Sequence, residues 1–166
     1  GRLKRYKKDN PDYKIAVAGC VAQEDGEAIL KEQKSVDLVL GTDGIPKLYE
    51  AIKRVELGER LAITEFSSDD FTVPIFNRNS SVSAFVTIMK GCDNFCSYCI
   101  VPYVRGREKS RHYREIFDEV KYLVDNGIKE VTFLGQNVNS YGKTLDENIN
   151  FAQFLYMATK IDGLNR

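Results

Sequence analysis

The spacing of apolar positions changes character several times along the 166-residue chain. Residues 14–19, "KIAVAG", form a short apolar run closed by a glycine, which predicts a buried strand ending in a turn. Residues 23–34, "QEDGEAILKEQK", carry helical character, and "VDLVLG" at 36–41 predicts a second buried strand. In "GTDGIPKLYEAIKRVELG" the apolar residues Ile45, Leu48, Ile52 and Val55 recur near the 3.6-residue helical period. Pro46 suits a first turn and Gly58 a helix end. Strand, helix, strand, helix implies parallel pairing in an α/β layer.

Residues 59–81 break this rhythm. Two short β-prone pieces, "LAITEF" and "TVPIF", flank "SSDD", and "NRNSS" follows. The pattern predicts a linker with a possible hairpin. From Val82, "VSAFVTIMKG" reads as a long strand buried on both faces. Residues 113–126 place Ile116, Val120, Leu123 and Val124 on one helical stripe, with Gly127 as its stop. "KEVTFLG" predicts the next strand and "QNVNSYGKTLDEN" a polar loop. Phe151, Phe154, Leu155, Ala158 and Ile161 mark a last helix. The domain expectation is therefore a partial α/β domain over 1–58, a linker over 59–81 and a second α/β unit over 82–166.

Composition narrows the partners. Hydrophobic residues make up 43% and charged residues 29%, enough for a packed core. Lys+Arg and Asp+Glu are both 24, so any nucleic-acid contact relies on a local patch. No apolar run approaches the roughly 20 residues needed to cross a bilayer, and the basic start "GRLKRYKKDN" leads into no secretory apolar segment. The cytoplasm is the expected compartment. There, clustered thiols bind metal or perform chemistry more often than they form disulfides.

Three of the four cysteines, Cys92, Cys96 and Cys99, fall within "KGCDNFCSYCIVPYVRGR", directly after a predicted strand. Loops after strand ends are where parallel α/β folds build their sites. Three thiolates suffice to hold three corners of a cubane iron–sulfur cluster and leave one iron open to a small molecule. Structural zinc prefers four ligands in two pairs, and the fourth candidates here, Cys20 and His112, are distant in sequence. A zinc-stabilised binding module without chemistry stays open on this evidence.

The Cys-x3-Cys-x2-Cys spacing resembles the signature of radical S-adenosylmethionine (SAM) enzymes. "GCDNFCSYCIVPYVRGREKSR" together with "FLGQNVNSYG" is similar to the methylthiotransferases, and within them to the MiaB-type branch. "AGCVAQ" and "VDLVLGT" are similar to the last part of that family's N-terminal domain. The fold this resemblance implies is the C-terminal half of a Rossmann- or flavodoxin-like domain, followed by the first two βα units of a partial TIM barrel.

The resemblance also implies roles. Cys92, Cys96 and Cys99 would hold a [4Fe–4S] cluster whose open iron takes SAM, and Tyr98 would lie against the SAM adenine. Gly135, Gln136 and Asn137 would approach the SAM amino group. Cys20 would ligate an auxiliary cluster only together with two upstream cysteines, and alone it reads as a buried thiol after a strand. Arg105, Arg107 and Arg111, within a run that also holds Lys109 and Arg114, are candidates for tRNA phosphate or the SAM carboxylate; a solvated loop balanced by Glu108 and Glu115 explains the same charges. His112 reads as a surface residue at a helix start.

The implied reaction is methylthiolation of isopentenylated adenosine next to the tRNA anticodon, with an electron donor such as flavodoxin. Other branches, acting on threonylcarbamoyl-adenosine or a ribosomal protein, are the nearest alternatives. Further expectations are that the chain is an internal piece of a protein more than twice as long, inactive by itself, and that the strand at 130–135 leaves an exposed edge.

Overall fold

The computed structural model describes residues 2–66 and 82–166. They build two compact units, the first on residues 2–66 with 103–105 and the second on residues 82–102 and 106–166. Both are mixed α/β.

The first unit runs α1 (Arg2–Asp9), β1 (Ala16–Ala18), α2 (Cys20–Glu32), β2 (Leu38–Leu40), α3 (Leu48–Glu56) and β3 (Leu61–Ile63). A 3-10 turn at Ile45–Lys47, with Pro46 in it, leads into α3. The strands pair in parallel in the order β1-β2-β3, with Val17 beside Val39 and Val39 beside Ala62. β2 is buried along its whole length. Its alternating side chains seal both faces. Leu38 and Leu40 pack with Ala51, Val55 and Leu61, whereas Val39 packs with Ala22 and Val36.

Three expectations change in this unit. Residues 61–63 are a third parallel strand, not linker, because they add to the open edge of β2; residues 67–81 lie outside the described residues. The helix before them is present, but Ala51 and Val55 form its buried face while Ile45, Leu48 and Ile52 stay exposed. The helix at 20–32 is longer than "QEDGEAILKEQK" suggests and kinks at Gly26, where the backbone leaves helical geometry (φ 45°, ψ −119°).

From Ser83 the chain runs β4 (Ser83–Thr87), β5 (Met89–Lys90), α4 (Val101–Arg105), whose residues 103–105 group with the first unit, then β6 (Lys109–Ser110), α5 (Tyr113–Asp125), β7 (Glu130–Leu134) and α6 (Phe151–Ala158), with a 3-10 turn at Val138–Ser140. β4 and β7 pair in parallel, Phe85 opposite Thr132, while β5 and β6 pair antiparallel. The expected single strand over 82–91 is thus two. The chain breaks pairing at Ile88, whose carbonyl accepts from the Arg111 N–H at 2.8 Å. Nor is it buried on both faces: Ser83 and Phe85 are exposed and Val86 is buried. The free side of β7 is met at Val131, whose N–H donates to the Arg166 carbonyl at 2.7 Å, so the edge expected to be open is partly covered.

The core of the second unit gathers around Phe154, which is fully buried. Phe133 meets it edge-on at 4.9 Å, Phe117 stacks at 5.3 Å and Tyr141 lies 4.6 Å away. Each fully buried side chain of this size contributes about 1.5–3 kcal/mol. Helix α6 is started by a capping box: Asn150 accepts from the Gln153 N–H and Gln153 accepts from the Asn150 N–H. α5 packs Ile116, Val120, Leu123 and Val124 inward, the stripe the sequence predicts, and adds buried Glu119. Among the described residues no helix is long and apolar enough to cross a membrane.

Candidate functional site

The cysteine loop leaves β5 at Gly91 and returns at β6. Its base is closed by the pairing of Met89 with Ser110 and Lys90 with Lys109, and by the Cys92 N–H donating to the Gly106 carbonyl at 3.3 Å. Gly91 sits at φ 74°, and a Cβ there would lie 2.1 Å from the Arg107 carbonyl oxygen. Only glycine satisfies both the left-handed backbone and the close approach of the returning strand.

Cys92 is buried at the base, Cys96 is exposed at the tip and Cys99 is partly buried. The Cys99 N–H donates to the Cys96 carbonyl at 2.9 Å, so the last two cysteines bound one tight turn. All three thiols are free. Among the described residues no three His, Cys, Asp or Glu side chains converge into a metal-holding group. The loop's donor chemistry nevertheless suits a thiolate-held cluster. Three unbridged thiols share it, and Asp93, the carboxylate next to Cys92, is engaged elsewhere.

Asp93 is held by a fork. Arg107 Nε donates to Oδ1 at 2.7 Å, Arg107 Nη2 donates to Oδ2 at 3.1 Å, and the Glu108 N–H donates to Oδ1 at 2.9 Å. The Arg107 guanidinium, then the Glu108 amide, hold the Asp93 carboxyl below the usual carboxylate range. The same guanidinium lies 5.6 Å from the Phe95 ring centroid. Phe95 is the one non-glycine residue with positive φ among the described residues, at 45°. A bulky residue in that region costs on the order of 1–2 kcal/mol, and such strain concentrates where a loop must hold a set shape.

The turn after β7 stands against the same β6 segment. Gly135 lets it approach the neighbouring β5: a Cβ there would lie 2.4 Å from Met89 Cγ. Gln136 is exposed and Asn137 partly buried. The Asn137 carbonyl accepts from the Ser140 N–H at 3.0 Å. Ser140 Oγ also hydrogen-bonds Glu108 Oε2, and both residues are buried. The Gly142 N–H donates to Ser110 Oγ at 3.0 Å, and the Ser110 N–H donates to Thr144 Oγ1 at 2.7 Å. Tyr141 Oη donates to the Arg111 carbonyl at 2.8 Å, and burial pushes its phenol pKa up.

The basic run separates into different roles. Arg111 is buried, paired with Glu119 Oε2, and donates to the Thr87 carbonyl at 3.3 Å. It is therefore a core ion pair and not a surface contact for phosphate or carboxylate; its side chain points inward because α5 supplies a buried carboxylate two turns on. Glu108, expected as a surface counter-charge, is buried too. Arg105 and Arg107 are exposed, Arg107 in its fork with Asp93. His112 caps α5, with Nδ1 accepting from the Arg114 N–H at 3.3 Å and Nε2 2.7 Å from Glu147 Oε1, as a residue at a helix start should.

Tyr98 is 90% exposed. In the first unit, Cys20 opens α2 directly after β1 and is partly, not fully, buried. The composition of "QNVNSYG" reads as polar loop and hid Ser140 and Tyr141, although one aromatic between hydrogen-bonding residues is the mark of a ring anchored by its hydroxyl. Asp93 and Glu119 were missed because neither fits a ligand pattern.

Residues 86–162 match the family model described as Radical SAM superfamily, and residues 1–41 match Uncharacterized protein family UPF0004. The chain is 51% identical over 172 aligned residues to the tRNA-2-methylthio-N(6)-dimethylallyladenosine synthase of Clostridium botulinum strain Alaska E43, covering 100% of the chain and 37% of that relative. It is 50% identical to the same-named protein of Clostridium novyi, and 46% identical to that of Geobacter metallireducens, in both cases over 100% of the chain and 38% of the relative. The chain thus spans a little over a third of the length of these curated relatives.

Proposed function

We propose that the chain, whose residues 86–162 match the radical SAM superfamily, is part of an enzyme that adds a methylthio group to dimethylallylated adenosine in tRNA. The observation that carries this reading is the near-50% identity along the whole chain to enzymes of that name, through a loop that presents three free thiols.

In this reading Cys92, Cys96 and Cys99 hold a [4Fe–4S] cluster, and SAM binds beside them. When bound, this pair supplies one-electron chemistry that generates a carbon radical from SAM. The chain supplies the rest. Gly91 and the β5–β6 pairing set the loop base, and the Asp93–Arg107 fork ties its first cysteine to the returning strand. The exposed ring of Tyr98, one residue before Cys99, offers a stacking face to an adenine. Gly135, Gln136 and Asn137 offer close backbone approach and amide groups to the SAM amino end. Arg105 and Arg107, like Arg114, are exposed cations of the run; Arg105, and Arg107 beyond its fork with Asp93, offer charge to anionic groups of SAM or tRNA. Cys20 ligates an auxiliary cluster where further cysteines accompany it. A flavodoxin-like protein is the electron donor.

The test is anaerobic reconstitution with iron and sulfide. A reduced paramagnetic signal that changes on SAM addition is expected, and it should vanish in Cys96→Ala. Mass spectrometry of dimethylallylated tRNA incubated with the full-length protein should show the added methylthio mass. A colourless chain that binds zinc instead would overturn the reading.

A further inference from the structure

The cysteine loop and the turn after β7 are joined by one buried side chain. Glu108 is 7% exposed and Ser140 2%. Ser140 Oγ has hydrogen-bond geometry to both the Asn137 carbonyl, at 2.8 Å, and Glu108 Oε2, and its single proton is drawn more strongly to the charged carboxylate. At its other end, the backbone N–H of Glu108 donates to Asp93 Oδ1, one residue from Cys92. Arg107, the neighbour of Glu108, completes the fork on Asp93, and the Gly106 carbonyl accepts the Cys92 N–H. The second carboxylate oxygen, Oε1, is buried and has no hydrogen-bond partner among the described residues.

A lone buried carboxylate oxygen is costly, so a merely structural position here would be filled more cheaply by an apolar side chain.

We infer that Glu108 is a positioning residue: through Ser140 on one side and Asp93 on the other, it sets the cysteine loop against the Gly135–Asn137 turn, so that the groups gripping the cluster and those meeting SAM are held in one register. This rests on the proposed radical SAM reading of the site. Outer-shell partners of this kind typically change metal affinity or activity by about 10- to 100-fold.

The experiment compares wild type, Glu108→Ala, Ser140→Ala, the double variant and Glu108→Gln in the full chain. The first readout is amide hydrogen exchange of the metal-free protein, which needs no cofactor. Ser140→Ala is expected to speed exchange at Cys92 and Glu108 about tenfold although the substitution lies in the other segment, and Glu108→Ala to speed exchange across residues 137–142. The double variant should be no faster than either single one.

The second readout is the SAM concentration needed to change the reduced-cluster spectrum after reconstitution. It should rise about tenfold in each alanine variant, no further in the double, and return close to wild type in Glu108→Gln, which keeps an acceptor for Ser140. Exchange that rises only in the mutated segment, or additive losses in the double variant, overturns the inference. If Glu108→Ala does not fold, Ser140→Ala, which removes one hydroxyl, decides alone. A wild type that takes up no cluster sinks the functional reading while the exchange arm still decides the coupling. A wild type that responds to SAM with unchanged variants sinks the coupling alone.

Discussion

The two units solve the burial problem differently. In the first, β2 is the middle strand of a parallel sheet, and its three residues, Leu38, Val39 and Leu40, seal both faces with aliphatic carbon. Its one buried charged residue among those described, Asp37, is met by Lys7, with Nζ 2.6 Å from Oδ1, and by the Ile15 N–H at 2.8 Å. Burial opposes the Asp37 carboxylate, but these partners and nearby Lys14 outweigh it and lower its pKa.

The second unit buries Glu108, Arg111, Glu119 and Ser140. Those four residues lie where β6, α5 and the turn after β7 meet, beside the cysteine loop. Hydrogen-bonded ions demand set directions as well as distances, which non-directional apolar contacts do not. The difference teaches that the first unit closes its sheet with aliphatic packing, whereas the second adds buried, hydrogen-bonded ions to its aromatic core where loops must be held in place.

Five single substitutions and one double variant break or sharpen this contrast. The largest effect is expected for Phe154→Ala, which empties the centre of the aromatic cluster and should cost about 3–5 kcal/mol in denaturant unfolding. Glu119→Ala leaves buried Arg111 with only the longer contact to exposed Glu115, 3.6 Å from its Nε, and should cost about 3 kcal/mol. If the ion pair is the weak point of the second unit, replacing Arg111 and Glu119 together by Met and Leu should recover most of that loss, and a failure to recover would show that the pair also orders the strand at Thr87. Leu40→Ala in the first unit should cost about 2–4 kcal/mol, with hydrogen exchange rising at β1 and β3.

Asp93→Asn acts through pH. The folded carboxyl titrates below its unfolded value, so the contribution of its fork is fully present above the ordinary carboxylate pKa of about 3.9 and is lost as pH falls through the lowered folded value. The wild-type loop should therefore stay closed below pH about 4 by NMR of residues 92–108 and open on further acidification. Asn at position 93 should open it at neutral pH and remove the acid step. The smallest stability effect is expected at Tyr98→Ala, within about 0.5 kcal/mol because the ring is in solvent. If that ring stacks on an adenine, the same variant should weaken the SAM response roughly tenfold.

Much of the fold was legible. Short apolar runs located β1, β2 and β7, runs at the 3.6-residue period located α3, α5 and α6, and the stripe on α5 was read residue by residue. The long strand after Val82 and the linker around Leu61 were misread for a common reason. Apolar composition says that a segment is buried, but whether it continues as one strand, or joins a sheet at all, depends on partners far away in sequence. The cysteine loop was legible because its chemistry is local.

By itself, then, the chain's order of residues determined where thiols cluster, which segments coil or extend, and, through its likeness to known enzymes, what chemistry to expect. Tertiary structure alone decided which charges matter. Arg107 and Arg111 look alike in sequence, four residues apart in one basic run. One is paired in solvent with Asp93 and the other is buried against Glu119. The physical reason is that burial and pairing are properties of neighbours brought together from Asp93, Glu119 and Ser140, and no spacing within the run encodes where those neighbours will be.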